Sequence, residues 1–182
     1  MRIFILISIV AVLSACGNTM EKSNSEEKQT TTELKFDLLK SEYVILPLDS
    51  SVSWLSIFNE AKPAKLSQSE LAEIEELIEI AIKENNKQQN QELVKHNNTN
   101  PYNQLTETGY ELKLGGFKRQ YVSVINEKGE KEIWINFFCD DWGNEKWKSE
   151  ILIVKDGGNC YFNMKVNLTT KTYSELRING YA

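Results

Sequence analysis

Leu66-Ser67-Gln68-Ser69-Glu70-Leu71-Ala72-Glu73-Ile74-Glu75-Glu76-Leu77-Ile78-Glu79-Ile80-Ala81-Ile82-Lys83 decides the helical half of the fold. Ser67 with Glu70 three residues on is a capping box, which satisfies the first free backbone N–H groups of a helix. Leu66 paired with Leu71 is the apolar staple that goes with it. Leu71, Ile74, Leu77, Ile78, Ala81 and Ile82 then recur at helical spacing, and Glu73, Glu75, Glu76, Glu79 and Lys83 fill the other positions. The pattern predicts an amphipathic helix to about Asn85, with the acidic side chains on a solvated face.

On the carboxyl side, residues 86–108 are rich in Asn, Gln and Lys, and Asn97-Asn98-Thr99-Asn100-Pro101 stops any helical continuation, so this stretch reads as a loop or frayed extension. From Tyr110 the period changes to two. Strands are expected at residues 110–114, 119–125, 132–139, 151–154, 160–168 and 173–179, in an up-and-down meander with turns at Asn126-Glu127-Lys128-Gly129, Asp156-Gly157-Gly158-Asn159 and Thr169-Thr170-Lys171. Alternation puts Ile133, Ile135 and Phe137 on one face, and Cys160, Phe162, Met164, Val166 and Leu168 on one face of their own strand. Asn136, Asn163, Lys165 and Asn167 take the opposite side, which reads as a sheet covered on one face only.

On the amino side, Tyr43-Val44-Ile45-Leu46-Pro47-Leu48 suits a first strand at a sheet edge, where the donor missing at Pro47 costs nothing. Trp54, Leu55, Ile57 and Phe58 read as a short helical turn or bridge, ended by Pro63. The expected fold is therefore α+β, one main amphipathic helix packed on a curled antiparallel sheet. In element order alone it is analogous to cystatin-like and NTF2-like folds.

Residues 1–15 have a basic start at Arg2, an apolar run from Ile3 to Leu13 broken by Ser8, and a small-residue exit at Ser14-Ala15. That is the layout of a secretory signal peptide. The apolar run falls short of the roughly 20 residues that span a bilayer. Leu13-Ser14-Ala15-Cys16 resembles the lipobox of bacterial lipoproteins, and the resemblance implies cleavage before Cys16 and acylation of that residue with lipid, commonly palmitate. The membrane is then the first partner, through lipid on Cys16, since two or three chains anchor stably where one does not. Residues 16–33 are the lipidated Cys and a polar stalk too poor in apolar residues to fold, and residues 34–182 have the size of one domain with one core.

The chain carries a formal charge of −5; loss of Arg2 with the signal leaves −6, which argues against nucleic acid or anionic lipid headgroups as partners. With Cys16 spent on lipid, Cys139 and Cys160 remain. Both fall on inward strand faces, yet a plain meander places them at opposite ends of the sheet, beyond the roughly 4.4–6.8 Å that a disulfide tolerates between Cα atoms. Either the connection after Cys139 rearranges the strand order and the two are bridged, or both are buried thiols.

The connection Asp140-Asp141-Trp142-Gly143-Asn144-Glu145-Lys146-Trp147-Lys148 is the candidate binding surface, with Trp142, Trp147, Asp140 and Asp141 as its contact residues. The plainer reading is that both Trp side chains cap the core beneath the loop. His96 is the only histidine and lies in the polar stretch, so neither a Cys-His pair nor a serine triad is suggested, and the acids match no calcium loop. No catalytic residue, metal site or cofactor is expected, and the chain does not read as an enzyme.

Lys118-Arg119-Gln120-Tyr121, the run Glu130 to Cys139, Asp156-Gly157-Gly158-Asn159-Cys160-Tyr161-Phe162 and Asn179-Gly180 are similar to a family of small exported proteins and lipoproteins of bacteroidete-type bacteria. The similarity spans roughly Ala61 to Ala182, and Asp-Gly-Gly-Asn-Cys-Tyr-Phe is its most specific part. It implies export in a Gram-negative host and brings no activity with it. The expected protein is a membrane-anchored lipoprotein whose domain is a non-enzymatic binding or structural module for a protein or peptide partner. The alternative is an envelope inhibitor or immunity-type protein. Gly17, where Asp would favour inner-membrane retention, points to the outer membrane, with either face open.

Overall fold

The computed structural model describes residues 41–48, 58 and 60–181. The expected signal peptide, Cys16, the expected stalk and the Trp54-Leu55-Ile57 cluster lie outside the described residues, which all belong to one unit, Lys35–Ala182. The elements in chain order are β1 (Tyr43–Leu46), β2 (Lys62–Pro63), α1 (Gln68–Thr99), β3 (Lys118–Ile125), β4 (Lys131–Phe138), β5 (Tyr161–Asn167) and β6 (Thr172–Ile178). Short 3-10 turns at Glu145–Lys148 and Gly158–Cys160 lie between β4 and β5. The fold is α+β.

The sheet runs β1-β3-β4-β5-β6, with β2 also pairing with β3. It is mixed, not purely antiparallel, because β1 lies parallel to β3 with Tyr43 opposite Arg119. A parallel neighbour needs a long crossover, and here that crossover contains α1. The expected strands at 110–114 and 151–154 are absent from the sheet, so β4 and β5 are direct antiparallel neighbours, with Phe138 opposite Tyr161.

One face of the sheet packs on α1. Tyr121, Ile135 and Met164 form a row across three strands, Phe137 stacks on Phe162 at 4.1 Å, and Leu71, Ile74, Leu77, Ile78, Ala81 and Ile82 close over them. The alternating faces predict this side of the core. The opposite face is also covered, contrary to the one-sided expectation. Val122, Val124 and Trp134, with Leu46 beside them in β1, are buried against Phe58, and Phe138 and Tyr161 against Trp147.

That second cover is fastened by buried amides. Gln120 donates from Nε2 to the carbonyls of Trp147 (2.6 Å) and Glu150 (2.7 Å), and its Oε1 accepts from Leu152 N–H (2.9 Å) and Asn136 Nδ2 (3.0 Å). Asn136 also donates to the Leu152 carbonyl at 2.9 Å. Asn136 is thus buried, not solvated as its polarity suggests, because the chain at 151–154 pairs with side chains of the sheet instead of with a strand edge. Buried amides with partners are inexpensive, and without them they are costly.

The helix runs to Thr99, well past the expected end near Asn85. Its buried stripe stops at Ile82, so the remaining turns are held by polar contacts with the returning chain. Asn86 pairs with Leu112 through both N–H and C=O (2.8 Å each), and Asn97 does the same with Leu105 (2.8 and 2.9 Å). Asn85 donates to the Tyr110 carbonyl at 2.9 Å, and Gln89 accepts from Thr108 at 2.7 Å. Asn is a weak helix former, and these tertiary pairs override that preference.

Glu75 corrects the reading of a wholly solvated acidic face. It is buried and pairs with Arg119, and Tyr121 Oη donates to it at 3.1 Å. Burial, first of all, pushes the Tyr121 phenol well above its ordinary range. At the start of α1, Glu70 accepts from Ser67 N–H at 2.8 Å and from Lys131 at 2.5 Å. The Lys131 bond is the main reason its carboxyl is held down at about 2.

Candidate functional site

The candidate surface is built at the end of the sheet where β4 leaves and β5 enters. Cys139 N–H donates to the Cys160 carbonyl at 3.0 Å, continuing the ladder one pair beyond the strands. The two residues form a disulfide across a Cα separation of 5.2 Å. The meander expectation put them at opposite ends only because it inserted a strand at 151–154. Without that strand they are neighbours. Neither joins the helix-side core: Cys139 is exposed, and half-buried Cys160 packs against Phe138, Trp147 and Tyr161 after the 3-10 turn redirects the chain.

The disulfide closes a loop of chain that carries Trp142. Asp140 Oδ1 accepts the Trp142 N–H at 2.8 Å, and Asp141 Oδ1 accepts the Gly143 N–H at 3.1 Å. These bonds support consecutive left-handed residues, Trp142 at φ 52° and Gly143 at φ 68°. Such a conformation costs a bulky residue about 1–2 kcal/mol, so local contacts must hold it. They do: the Trp142 ring stacks on Tyr161 with centroids 5.7 Å apart and planes at 17°, and Tyr161 Oη donates to the Asp140 carbonyl at 3.2 Å. Trp142 nevertheless remains 63% exposed.

Trp147 and Asp141, the other two candidate contacts with a fixed place in the loop, point into the fold. Trp147 is 2% exposed and packs edge-on to Phe138 at 5.4 Å. Lys118 lies 5.3 Å from its ring centre and bridges Asp141 (2.6 Å) and Glu42 (3.1 Å). The Lys118 bond is the first cause holding the Asp141 carboxyl below the usual range, and Asp141 likewise leads in raising Lys118. A groove of about 460 Å³ lies beside this cluster, lined by Ser41, Glu42, Tyr43, Val44, Trp147 and Lys148. Trp142 and Asp140 therefore form the exposed part of the predicted surface, and Trp147 and Asp141 its footing.

Sequence reasoning missed three residues here. Tyr161 is the platform beneath Trp142; strand alternation opposite Phe162 was the available signal. Gln120 and Lys118 carried none, since a polar residue inside a strand looks solvated until its partner is known. The Asp156-Gly157-Gly158-Asn159 run has a structural explanation. Gly158 is left-handed, and a Cβ there would meet the Tyr181 ring at 2.1 Å. Asn179 Nδ2 donates to the Val154 and Asp156 carbonyls (2.7 and 3.0 Å), so the chain end clamps this turn.

His96 lies on α1, and its ring makes a hydrogen bond with the Asn103 carbonyl at 3.1 Å. Among the described residues, no group of three or more His, Cys, Asp or Glu side chains is arranged to hold a metal ion, and no helix is long and apolar enough to cross a membrane. No family model, curated protein or solved structure matches this chain.

Proposed function

We propose that the protein is a lipoprotein anchored through Cys16 at the cell envelope, in the outer membrane, and that its domain is a non-enzymatic binding module whose contact residue is Trp142. The observation that carries the contact is an indole left 63% exposed although its backbone, its neighbouring disulfide and the ring beneath it are all fixed. Aromatic anchors held rigid before binding lose little entropy when a partner covers them. The anchor rests on Leu13-Ser14-Ala15-Cys16.

Two measurements on the full chain in a Gram-negative host test this. The wild-type chain is expected to carry lipid mass on its amino-terminal peptide and to sediment with membranes, and Cys16→Ser to lose both. A photo-crosslinking residue at position 142 is expected to give a discrete adduct in intact cells, whereas one at Lys128, exposed in the β3–β4 turn at the opposite end of the sheet, gives none. Equal adducts from both positions, or none from 142, refute Trp142 as the contact.

A further inference from the structure

We infer that the partner covering Trp142 presents a basic segment, with Arg or Lys side chains laid on the free indole face. The inference rests on Trp142 being the contact residue and adds the chemistry of what it contacts. One face of the ring is taken by Tyr161, so the other is the face offered to solvent. An aromatic face carries the negative side of the ring quadrupole and attracts a cation, most strongly for Trp.

The surrounding charges favour the same occupant. Asp140, whose carboxylate sits on the Trp142 N–H, and Asp156 are both exposed, and neither has an ion-pair partner among the described residues. Burial first, and then the charges of Asp140, Asp156 and Asp141, raise the Tyr161 hydroxyl above its ordinary range, and of these acids Asp141 is itself paired with Lys118. Of the cations in this part of the chain, Lys118 is bound to Asp141 and Glu42, and Lys148 to Glu145, both against Trp147, while Lys146 and Lys155 are exposed. The unpaired Asp140 carboxylate beside the exposed indole repels an acidic partner and complements a basic one, and the net charge of the chain acts in the same direction. A sugar would stack on the same ring without using that charge.

The test uses the full chain in a neutral detergent, titrated with a Gly/Ser peptide bearing three Arg, its counterpart bearing three Asp, and a chitin oligosaccharide, following the Trp142 indole N–H by NMR. The Arg peptide alone is expected to shift this signal, and the affinity is expected to fall as salt is raised. Removing the ring in Trp142→Ala or Trp142→Gly, where the indole signal is gone and affinity is read by isothermal titration calorimetry, should weaken binding roughly five- to tenfold. Glycine suits the left-handed position, so Trp142→Gly separates loss of the ring from loss of the fold. Asp140→Asn with Asp156→Asn should weaken binding while leaving the stack intact. An indole signal unmoved by the Arg peptide, or Arg binding unchanged in Trp142→Gly, overturns the inference. A shift caused by the oligosaccharide instead also overturns it and leaves Trp142 standing as the contact.

Discussion

Replacing Gln120 with Met should release the cover that carries Trp142. The side chain is wholly buried and makes four hydrogen bonds, two donated to the Trp147 and Glu150 carbonyls and two accepted from Leu152 N–H and Asn136. Met matches its length and supplies none of them. Glu150 is exposed and regains water, whereas the Trp147 carbonyl, Leu152 N–H and part of the Asn136 amide stay enclosed. At about 1–3 kcal/mol for each buried group left without a partner, the loss is about 3–5 kcal/mol. Because these bonds fasten one segment to a sheet that is otherwise intact, much of the loss should appear as local opening. Urea denaturation reads the global part. Hydrogen exchange at Leu152, together with Trp147 fluorescence, reads the local part, and Asn136→Leu should open the same amide. If Gln120→Met stays within about 1 kcal/mol of wild type and the Leu152 amide exchanges no faster, the amide fastening is not what holds this cover.

Cys139 and Cys160 should resist alkylation under denaturing conditions until reduced, as intact mass shows. Reduction should cost about 3 kcal/mol for a loop of this length and quench the order of the Trp142 stack first. Free alkylation without reductant would remove the bridge. Glu75→Ala should cost about 3–5 kcal/mol because it strands the buried Arg119 charge, while Glu75→Met with Arg119→Met should recover most of that loss in a denaturation cycle. A double variant as unstable as the single one refutes the account. Glu70, held down at about 2 from an ordinary 4.5, contributes stability that is complete above pH about 4.5 and is lost as pH falls toward 2. Glu70→Gln should flatten the acid limb of a stability–pH profile across that window, and an unchanged limb would assign it to other carboxylates.

The sequence by itself determined the elements whose signal is local. The Ser67/Glu70 box and the 71–82 stripe set the start and the buried face of α1, and the period-two runs set β3, β4, β5 and β6 with Ile133, Ile135, Phe137, Phe162, Met164 and Val166 toward the helix. Each of these follows from spacing along one segment. The tertiary structure decided what depends on a partner remote in the chain. Asn86 and Asn97 extend α1 because Leu112 and Leu105 return beside them, and Gln120 and Asn136 hold residues 151–154 off the sheet. Glu75 goes inside because Arg119 meets it. Once 151–154 leaves the sheet, β4 meets β5, and Cys139 reaches Cys160. Of four candidate contacts, the sequence could name the loop but not sort Trp142 from Trp147. Both are aromatic residues in a polar stretch, and only the packing of Phe138 and Tyr161 draws one ring in and leaves the other stacked outside. A polar or aromatic side chain reports its chemistry in the sequence, but its burial depends on which group the fold brings opposite it.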